Sequence, residues 1–201
     1  MLRQTVDRLG EALFPPARRM VVTNQRLVEV VQQQLPELPE GRVVGEPCKG
    51  DTEKRIGMAT RLVSRDDPEA TMVVMPADHV IAPDDKFQAA VEQAARLVDD
   101  EPNRIVTFGV RPTYPAEIFG YIERNTELRV LPGESPTFKV LKFREKPNAA
   151  TAADYVKSGR FYWNSGIFVW RARTILDALT DRQPEMLAHL DHYSINGMNH
   201  E

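Results

Sequence analysis

Helix-like and strand-like hydrophobic patterns alternate along the first 110 residues. Leu2, Val6, Leu9 and Leu13 recur at helical spacing and predict an amphipathic helix over residues 2–13. Short apolar runs between turn residues predict buried strands. The strands are predicted at 18–24, 41–47, 72–75 and 104–110, and further helices at 25–35, 52–64 and 86–98. This alternation with short links is typical of a parallel sheet covered by helices on both faces.

The pattern changes after residue 110. Three strand-like segments follow, at 119–124, 138–147 and 161–170, and only one short helix, at about 149–158, lies among them. A last helix is predicted over 171–179. Strands without intervening helices favour antiparallel pairing. The predicted fold class is therefore α/β, with a mostly parallel sheet, helices on both faces and an antiparallel extension.

Composition narrows the class of protein. The chain has 201 residues and a net charge of −3, with acidic and basic residues mixed along it, which argues against nucleic acid as a partner. Cys48 is the only cysteine, so a disulfide within the chain is excluded. No apolar run reaches membrane-spanning length, and the first residues lack a signal core. We expect a single cytoplasmic domain over 1–201 that does not bind membranes.

Asp78 follows the apolar strand 72–75 directly, within the stretch MVVMPADHVI. Ligands of open α/β sheets gather where parallel strands end, and a carboxylate there suits a hard cation such as Mg²⁺. The alternative is an Asp that caps the following turn. His79 fits a packed or turn histidine better than a ligand, and Asp84 fits the cap of the next helix.

Two further segments combine polar residues with a strand. Glu145 and Lys146 end the strand FKVLKF, where they form either an exposed charge cluster or a contact to a sugar phosphate. Adjacent residues of an extended strand face opposite ways, so an ion pair between them is not expected. Asn164, Ser165 and Gly166 interrupt an aromatic strand, and they indicate either a plain bulge or a close approach of a ligand to the backbone.

One further glycine and two tryptophans bear on substrate binding. Gly120, in FGYIE, is a second place where a substrate can lie against the backbone of a strand. Trp163 and Trp170 flank the polar interruption, and core packing explains both rings better than a sugar platform.

Taken together, these motifs resemble the mannose-1-phosphate guanylyltransferases. The segments EPCKGDT, MPADHVI, TFGVRPTYPAEIFGYIE, FREKP and YWNSGIFVW occur in the order and spacing of that family. The resemblance covers nearly the whole chain and implies a Rossmann-like nucleotidyltransferase fold. It implies transfer of a nucleotidyl group from GTP to α-D-mannose 1-phosphate, with Mg²⁺, giving GDP-mannose and pyrophosphate. It leaves homo-oligomerisation open.

The resemblance also assigns roles to matching positions. Asp78 is the expected catalytic and metal-binding carboxylate. Sugar-phosphate contacts are expected from five residues and nucleotide contacts from three. The sugar-phosphate set is Gly120, Tyr121, Glu145, Lys146 and Asn164, and the nucleotide set is Glu46, Asp51 and Thr52.

The sequence departs from the family pattern in three places. Nothing in residues 1–30 matches its opening strand and Gly-rich phosphate loop, and nothing after Trp170 matches its second metal-binding Asp. Gly50 replaces an Arg, and Glu53, Lys54 and Arg55 replace small apolar residues and a Pro. We therefore expect this chain alone, as a domain truncated at both ends, to be weakly active or inactive. Strands 18–24 and 72–75 should then border an unfilled slot or pair directly.

Three alternatives to that activity stay open. One is a catalytically dead sugar-nucleotide-binding or regulatory module, another is a sugar nucleotidyltransferase for a different base or hexose, and the last is a bifunctional enzyme with a fused isomerase domain.

Overall fold

The computed structural model describes residues 1–46, 52–128 and 130–188 and has an α/β fold, as predicted. Helices and strands alternate over the first 110 residues, and three further strands then follow with one helix among them. The helices are α1 Leu2–Arg8, α2 Val28–Gln34, α3 Thr52–Asp66, α4 Asp84–Asp100, α5 Ala149–Ser158 and α6 Ala172–Arg182. The strands are β1 Val21–Asn24, β2 Val43–Glu46, β3 Thr71–Val74, β4 Val106–Val110, β5 Tyr121–Leu128, β6 Thr137–Arg144 and β7 Phe161–Arg171.

The strands form two sheets. β1 and β2 make a parallel pair, with Val21 opposite Val43. The second sheet has five strands, and all four of its pairings are antiparallel. The antiparallel part, which the sequence predicted as an extension, is thus the larger sheet. The reason is that β7 is 11 residues long and runs against β3, β4 and β5 alike.

β7 is the central strand of the larger sheet. β4 pairs with one edge of β7 near both ends, at Trp163 and at Val169. The opposite edge is shared by two strands, because β5 pairs with residues 161–163 and β3 pairs with residues 168–171. The stretch from Asn164 to Ile167 lies between them and pairs with neither. This interval, which we call the β7 gap, is bordered by the end of β3 and the start of β5.

Two local predictions differ from the structure. The first helix ends at Arg8 because Gly10 adopts a left-handed backbone conformation (φ 68°), although Leu9 and Leu13 still pack in the core. Asp84 is the first residue of α4, preceded by Pro83 as the N-cap, and makes no capping hydrogen bond. By contrast, α5 spans the predicted residues 149–158.

β1 and β3 belong to different sheets. In the described part of the chain, β1 pairs only with β2, and β3 pairs only with β7. The two strands therefore do not pair directly, and each leaves one edge without a partner strand.

The core lies mainly between α4 and the larger sheet. Val98 and Val169 are fully buried and pack with Ala94, and a neighbouring cluster joins Phe87 to Ile167. A separate cluster of Val6, Val31, Leu35 and Val43 binds α1 and α2 to the parallel pair. No helix within the described ranges is long and apolar enough to cross a membrane.

Glu69 links the start of β3 to the end of β7. Its two carboxylate oxygens accept hydrogen bonds from Arg171 and Arg173, each at 3.1 Å. The hydrogen bond from Arg173, followed by that from Arg171, holds the pKa of Glu69 below its ordinary value. The carboxylate therefore stabilises the fold in its ionised form.

Replacing Glu69 should change the acid sensitivity of the protein. Its contribution is present above the unfolded-state pKa and is lost as the pH falls through the lowered pKa of the folded state. We expect Glu69→Gln to melt below the wild type at pH 7, with a difference that narrows below about pH 4. Glu92→Gln, the same change at an exposed position of α4, is the control. A difference that stays constant from pH 7 to pH 3 would contradict this account.

Candidate functional site

Three predicted motifs meet at the β7 gap. The backbone N–H of Asn164 donates to the Gly120 carbonyl at 2.8 Å, so Gly120, the residue before β5, is fixed against the gap. The Asn164 side-chain oxygen accepts from the Gly166 amide at 3.0 Å, which closes a local turn. Gly166 has φ 70°, and a β-carbon added there would lie 3.5 Å from Pro76. The gap therefore contacts both the exit of β3 and the entry of β5.

The end of β6 brings the fourth motif to the same place. Arg144 lies opposite Tyr121 in the register, so Glu145 follows next to Gly120. A β-carbon added to Gly120 would lie 3.4 Å from the Glu145 carboxylate and 3.8 Å from the Asn164 β-carbon. Gly120 thus forms an open floor between two polar side chains. Because the Asn164 oxygen is already engaged by Gly166, its amide Nδ2 is the group that remains to donate to a ligand.

Glu145 and Lys146 form an ion pair, contrary to the sequence prediction. Lys146 Nζ lies 3.5 Å from Glu145 Oε1. The prediction assumed that both residues continue the strand, but β6 ends at Arg144 and Lys146 adopts a positive φ of 32°. The chain turn brings both side chains to one side, where they present an exposed cation and an exposed anion together.

Asp78 lies on the connection between β3 and α4, two residues after Pro76, which is the neighbour of Gly166. Its side chain is 81% exposed, and the Nε2 atom of His79 lies 4.0 Å from its Oδ1 atom. The described residues contain no cluster of three or more acidic, His or Cys side chains that would enclose a metal ion. Asp78 is therefore a single, accessible carboxylate.

Tyr121 does not present its side chain to this site. The ring is fully buried, it packs against Tyr155, and its hydroxyl donates to the Ala116 carbonyl at 2.8 Å. The Tyr121 backbone pairs with Arg144 of β6 on one edge and with Trp163 of β7 on the other.

Trp170 is buried, as expected for core packing. Trp163 is only partly buried, and the exposed rings of Tyr114 and Phe119 lie 5.0 and 5.1 Å from it.

The residues predicted for the nucleotide are only partly described. Glu46 ends β2, its side chain is buried, and its carboxylate accepts hydrogen bonds from Arg55, one of them from Nε at 2.8 Å. Arg55 is one of the positions that depart from the family pattern. Asp51, and the side chain of Thr52, lie outside the described residues.

Sequence reasoning missed the buried polar residue of β5. Glu123 is buried, and Arg144 and Arg160 lie 2.9 and 3.6 Å from its carboxylate. These contacts tie the start of β5 to the end of β6 and to the turn before β7, and so support the floor at Gly120. The acidic residue inside the apolar run YIE was the available signal, since a buried carboxylate requires a partner.

Comparison with known proteins shows the family of the chain. The Nucleotidyl transferase family model matches residues 1–201. The chain belongs to the nucleotidyl transferase family. The family match supports an enzyme of this kind.

Curated relatives and solved structures narrow the similarity. The chain is 38% identical over 192 residues to a mannose-1-phosphate guanylyltransferase of Escherichia coli, covering 93% of this chain and 39% of that protein. It is 32% identical over 200 residues to one of Sinorhizobium fredii, covering 98% and 37%. A Thermus thermophilus structure named mannose-1-phosphate geranyltransferase superimposes with a TM-score of 0.82 at 25% identity, over 97% of this chain and 54% of that one. The chain thus spans about two fifths of the length of these curated relatives.

Gly120 and Tyr121 allow a reciprocal test of this geometry. Gly120→Ala should leave stability nearly unchanged, within about 1 kcal/mol, because the backbone there is not left-handed and the added carbon meets ordinary contact distances. The methyl group would, however, occupy the floor between Glu145 and Asn164. We expect the affinity for mannose 1-phosphate, the ligand that the sequence resemblance implies, to fall roughly tenfold or more in calorimetry.

Tyr121→Phe should do the opposite. It removes a hydrogen bond to the buried Ala116 carbonyl, which should cost about 1–2 kcal/mol in urea denaturation. Because the ring does not reach the site, affinity for mannose 1-phosphate should stay at the wild-type value. A Tyr121→Phe protein that binds the sugar phosphate more weakly than Gly120→Ala would contradict the assigned floor.

Proposed function

We propose that this chain carries the sugar-phosphate and α-phosphate part of a mannose-1-phosphate guanylyltransferase site. The observation that carries the proposal is the convergence of PADH, FGYIE, EKP and WNSG at the β7 gap, through the contacts of Gly120, Asn164 and Gly166. The names of the curated relatives support the hexose and the base. The cytoplasmic location expected from the sequence is part of this proposal.

The reaction joins two phosphates without a covalent enzyme intermediate. A phosphate oxygen of mannose 1-phosphate attacks the α-phosphorus of GTP, the bond from that phosphorus to the bridging oxygen of the β-phosphate breaks, and pyrophosphate leaves. The residues at the gap hold the attacking group. Glu145 accepts hydrogen bonds from sugar hydroxyls, and Lys146 neutralises phosphate charge. The side-chain Nδ2 of Asn164 donates to the sugar phosphate.

Asp78 fits a role in binding Mg²⁺. A single exposed carboxylate suits this ion, which keeps several waters and is commonly held by one or two carboxylates together with substrate phosphates. Mg²⁺, when bound, neutralises the charge that develops on the phosphates. Asp78 would supply the protein oxygen that holds the ion at the exit of β3.

The experiment pairs Asp78→Asn with Asp85→Asn, an identical change at an exposed position in the first turn of α4. We measure calorimetric binding of mannose 1-phosphate and of Mg²⁺·GTP, and then GDP-mannose formation. Binding comes first because it reports on each ligand separately. Asp78→Asn should retain the sugar phosphate but lose Mg²⁺·GTP, and any turnover should fall by roughly 10²-fold.

The control sharpens the result. Asp85→Asn should behave as the wild type in both assays. The proposal fails if the wild-type chain binds neither ligand, or if the two variants lose Mg²⁺·GTP affinity to the same degree.

One observation favours the alternative of a binding or regulatory module. Arg55 hydrogen bonds to the buried Glu46 carboxylate, which therefore has less capacity to accept from a guanine base. A chain of that kind should bind mannose 1-phosphate while binding GTP, with or without Mg²⁺, only weakly. The calorimetric experiment separates these two functions directly.

A further inference from the structure

Arg8 occupies an unusual place in α1. Its side chain is only 4% exposed, whereas Arg3, on the same helix, is 45% exposed. Burying a guanidinium is costly unless hydrogen bonds and a counter-ion compensate for the lost water. The contacts of Arg8 should therefore show why the inner face of the helix carries a charge.

The hydrogen bonds that the Arg8 side chain donates go to the segment that carries Asp78. We call residues 75–83, between β3 and α4, the Asp78 loop. Arg8 Nε donates to the Ile81 carbonyl at 3.1 Å, and Nη2 donates to the His79 carbonyl at 3.2 Å. Thr5, one turn earlier, donates to the Ala77 carbonyl at 3.1 Å. Two side chains of α1 thus hold alternate carbonyls of the loop, and Asp78 lies between the first two.

The guanidinium itself is held in place from α4. Asp84 Oδ1 lies 3.6 Å from Arg8 Nε, and the Phe87 ring centroid lies 6.0 Å from the Arg8 Cζ atom. Gln88 donates to the Arg8 carbonyl at 2.8 Å, which fixes the backbone of α1 at the same point. Arg8 therefore links α1, α4 and the Asp78 loop as one unit.

The bonding of Arg8 is incomplete. Its Nη1 atom is buried and has no hydrogen-bond partner in the described part of the chain. A buried charge with an unsatisfied donor contributes little net stability, and apolar replacements at such places are often neutral or stabilising. What an apolar side chain would not reproduce is the pair of hydrogen bonds to the loop.

We infer that Arg8 is a positioning residue, which fixes the Asp78 loop and with it the Asp78 carboxylate at the exit of β3. The part of this inference that concerns metal and nucleotide rests on the proposed function. The part that concerns the loop rests on the hydrogen bonds alone. The two parts are therefore tested by separate readouts.

The first readout is backbone motion. In the wild type, NMR order parameters of the amides at 77–82 should lie near 0.8, and Arg8→Met should lower them to below about 0.6. Arg3→Met, the same change on the exposed face of α1, should leave them unchanged. The melting temperature of Arg8→Met should stay within about 4 °C of the wild type, since water can reach the freed carbonyls of the exposed loop.

The second readout is the binding of Mn²⁺, which takes the place of Mg²⁺. Mn²⁺ is titrated in the presence of GTP, and its binding is followed by electron paramagnetic resonance. Arg8→Met should weaken this binding by roughly tenfold to a hundredfold, as expected when a group that orients a metal ligand is lost. Arg8→Lys, which keeps a donor for one carbonyl, should recover part of both readouts. It also carries the test if Arg8→Met does not fold.

Each outcome decides one part. Wild-type order parameters in both Arg8 variants would overturn the inference. A mobile loop with unchanged Mn²⁺ affinity would overturn the role of Arg8 in ligand binding. If the wild type itself does not bind Mn²⁺ and GTP, the proposed function fails, and the order parameters still decide whether Arg8 holds the loop.

Discussion

The pairing of β7 is the constraint on which the rest of the structure depends. With 11 residues, β7 is longer than either of the two strands that pair with one of its edges. β5 and β3 therefore share that edge and leave the β7 gap between them. Antiparallel pairing then directs the end of β3 and the start of β5 toward the same residues. Strand ends that are far apart in sequence thereby meet at Asn164 and Gly166. This explains why polar residues from three strands lie close together.

The chemistry of the site follows from this geometry. Backbone groups at the gap are already satisfied by local hydrogen bonds, such as those of Asn164 with Gly120 and Gly166. The exposed charges lie around them, with Lys146 beside Glu145 and Asp78 at the exit of β3. A hydrogen-bonded floor with exposed charges around it suits a substrate that combines hydroxyl groups with phosphate, because binding then relies on positioning and charge neutralisation.

Much of this arrangement could be predicted from the sequence. The helix at 149–158 was predicted correctly because Asn148 caps it and Gly159 ends it, both of which are local signals. The interruption of strand pairing at WNSG was also readable, because polar residues and glycine within an aromatic strand weaken its pairing. What could not be read was which strands flank β7, since pairing over long separations leaves no periodic signal. The same limit explains why the ion pair of Glu145 and Lys146 was missed, because the end of β6 depends on its register with β5. The links from Arg8 to His79 and Ile81 were hidden for the same reason.

The central claim is that the β7 gap is one binding site built from separate strands. Amide chemical-shift mapping of the chain with mannose 1-phosphate tests it most directly. We expect the largest shifts at 76–79, 119–121, 144–146 and 164–166, because these residues surround the floor at Gly120. Shifts confined to the polar pocket of Arg3, Asp7, Glu11, Arg19 and Glu37, on the outer side of α1, would place the ligand elsewhere and contradict the claim.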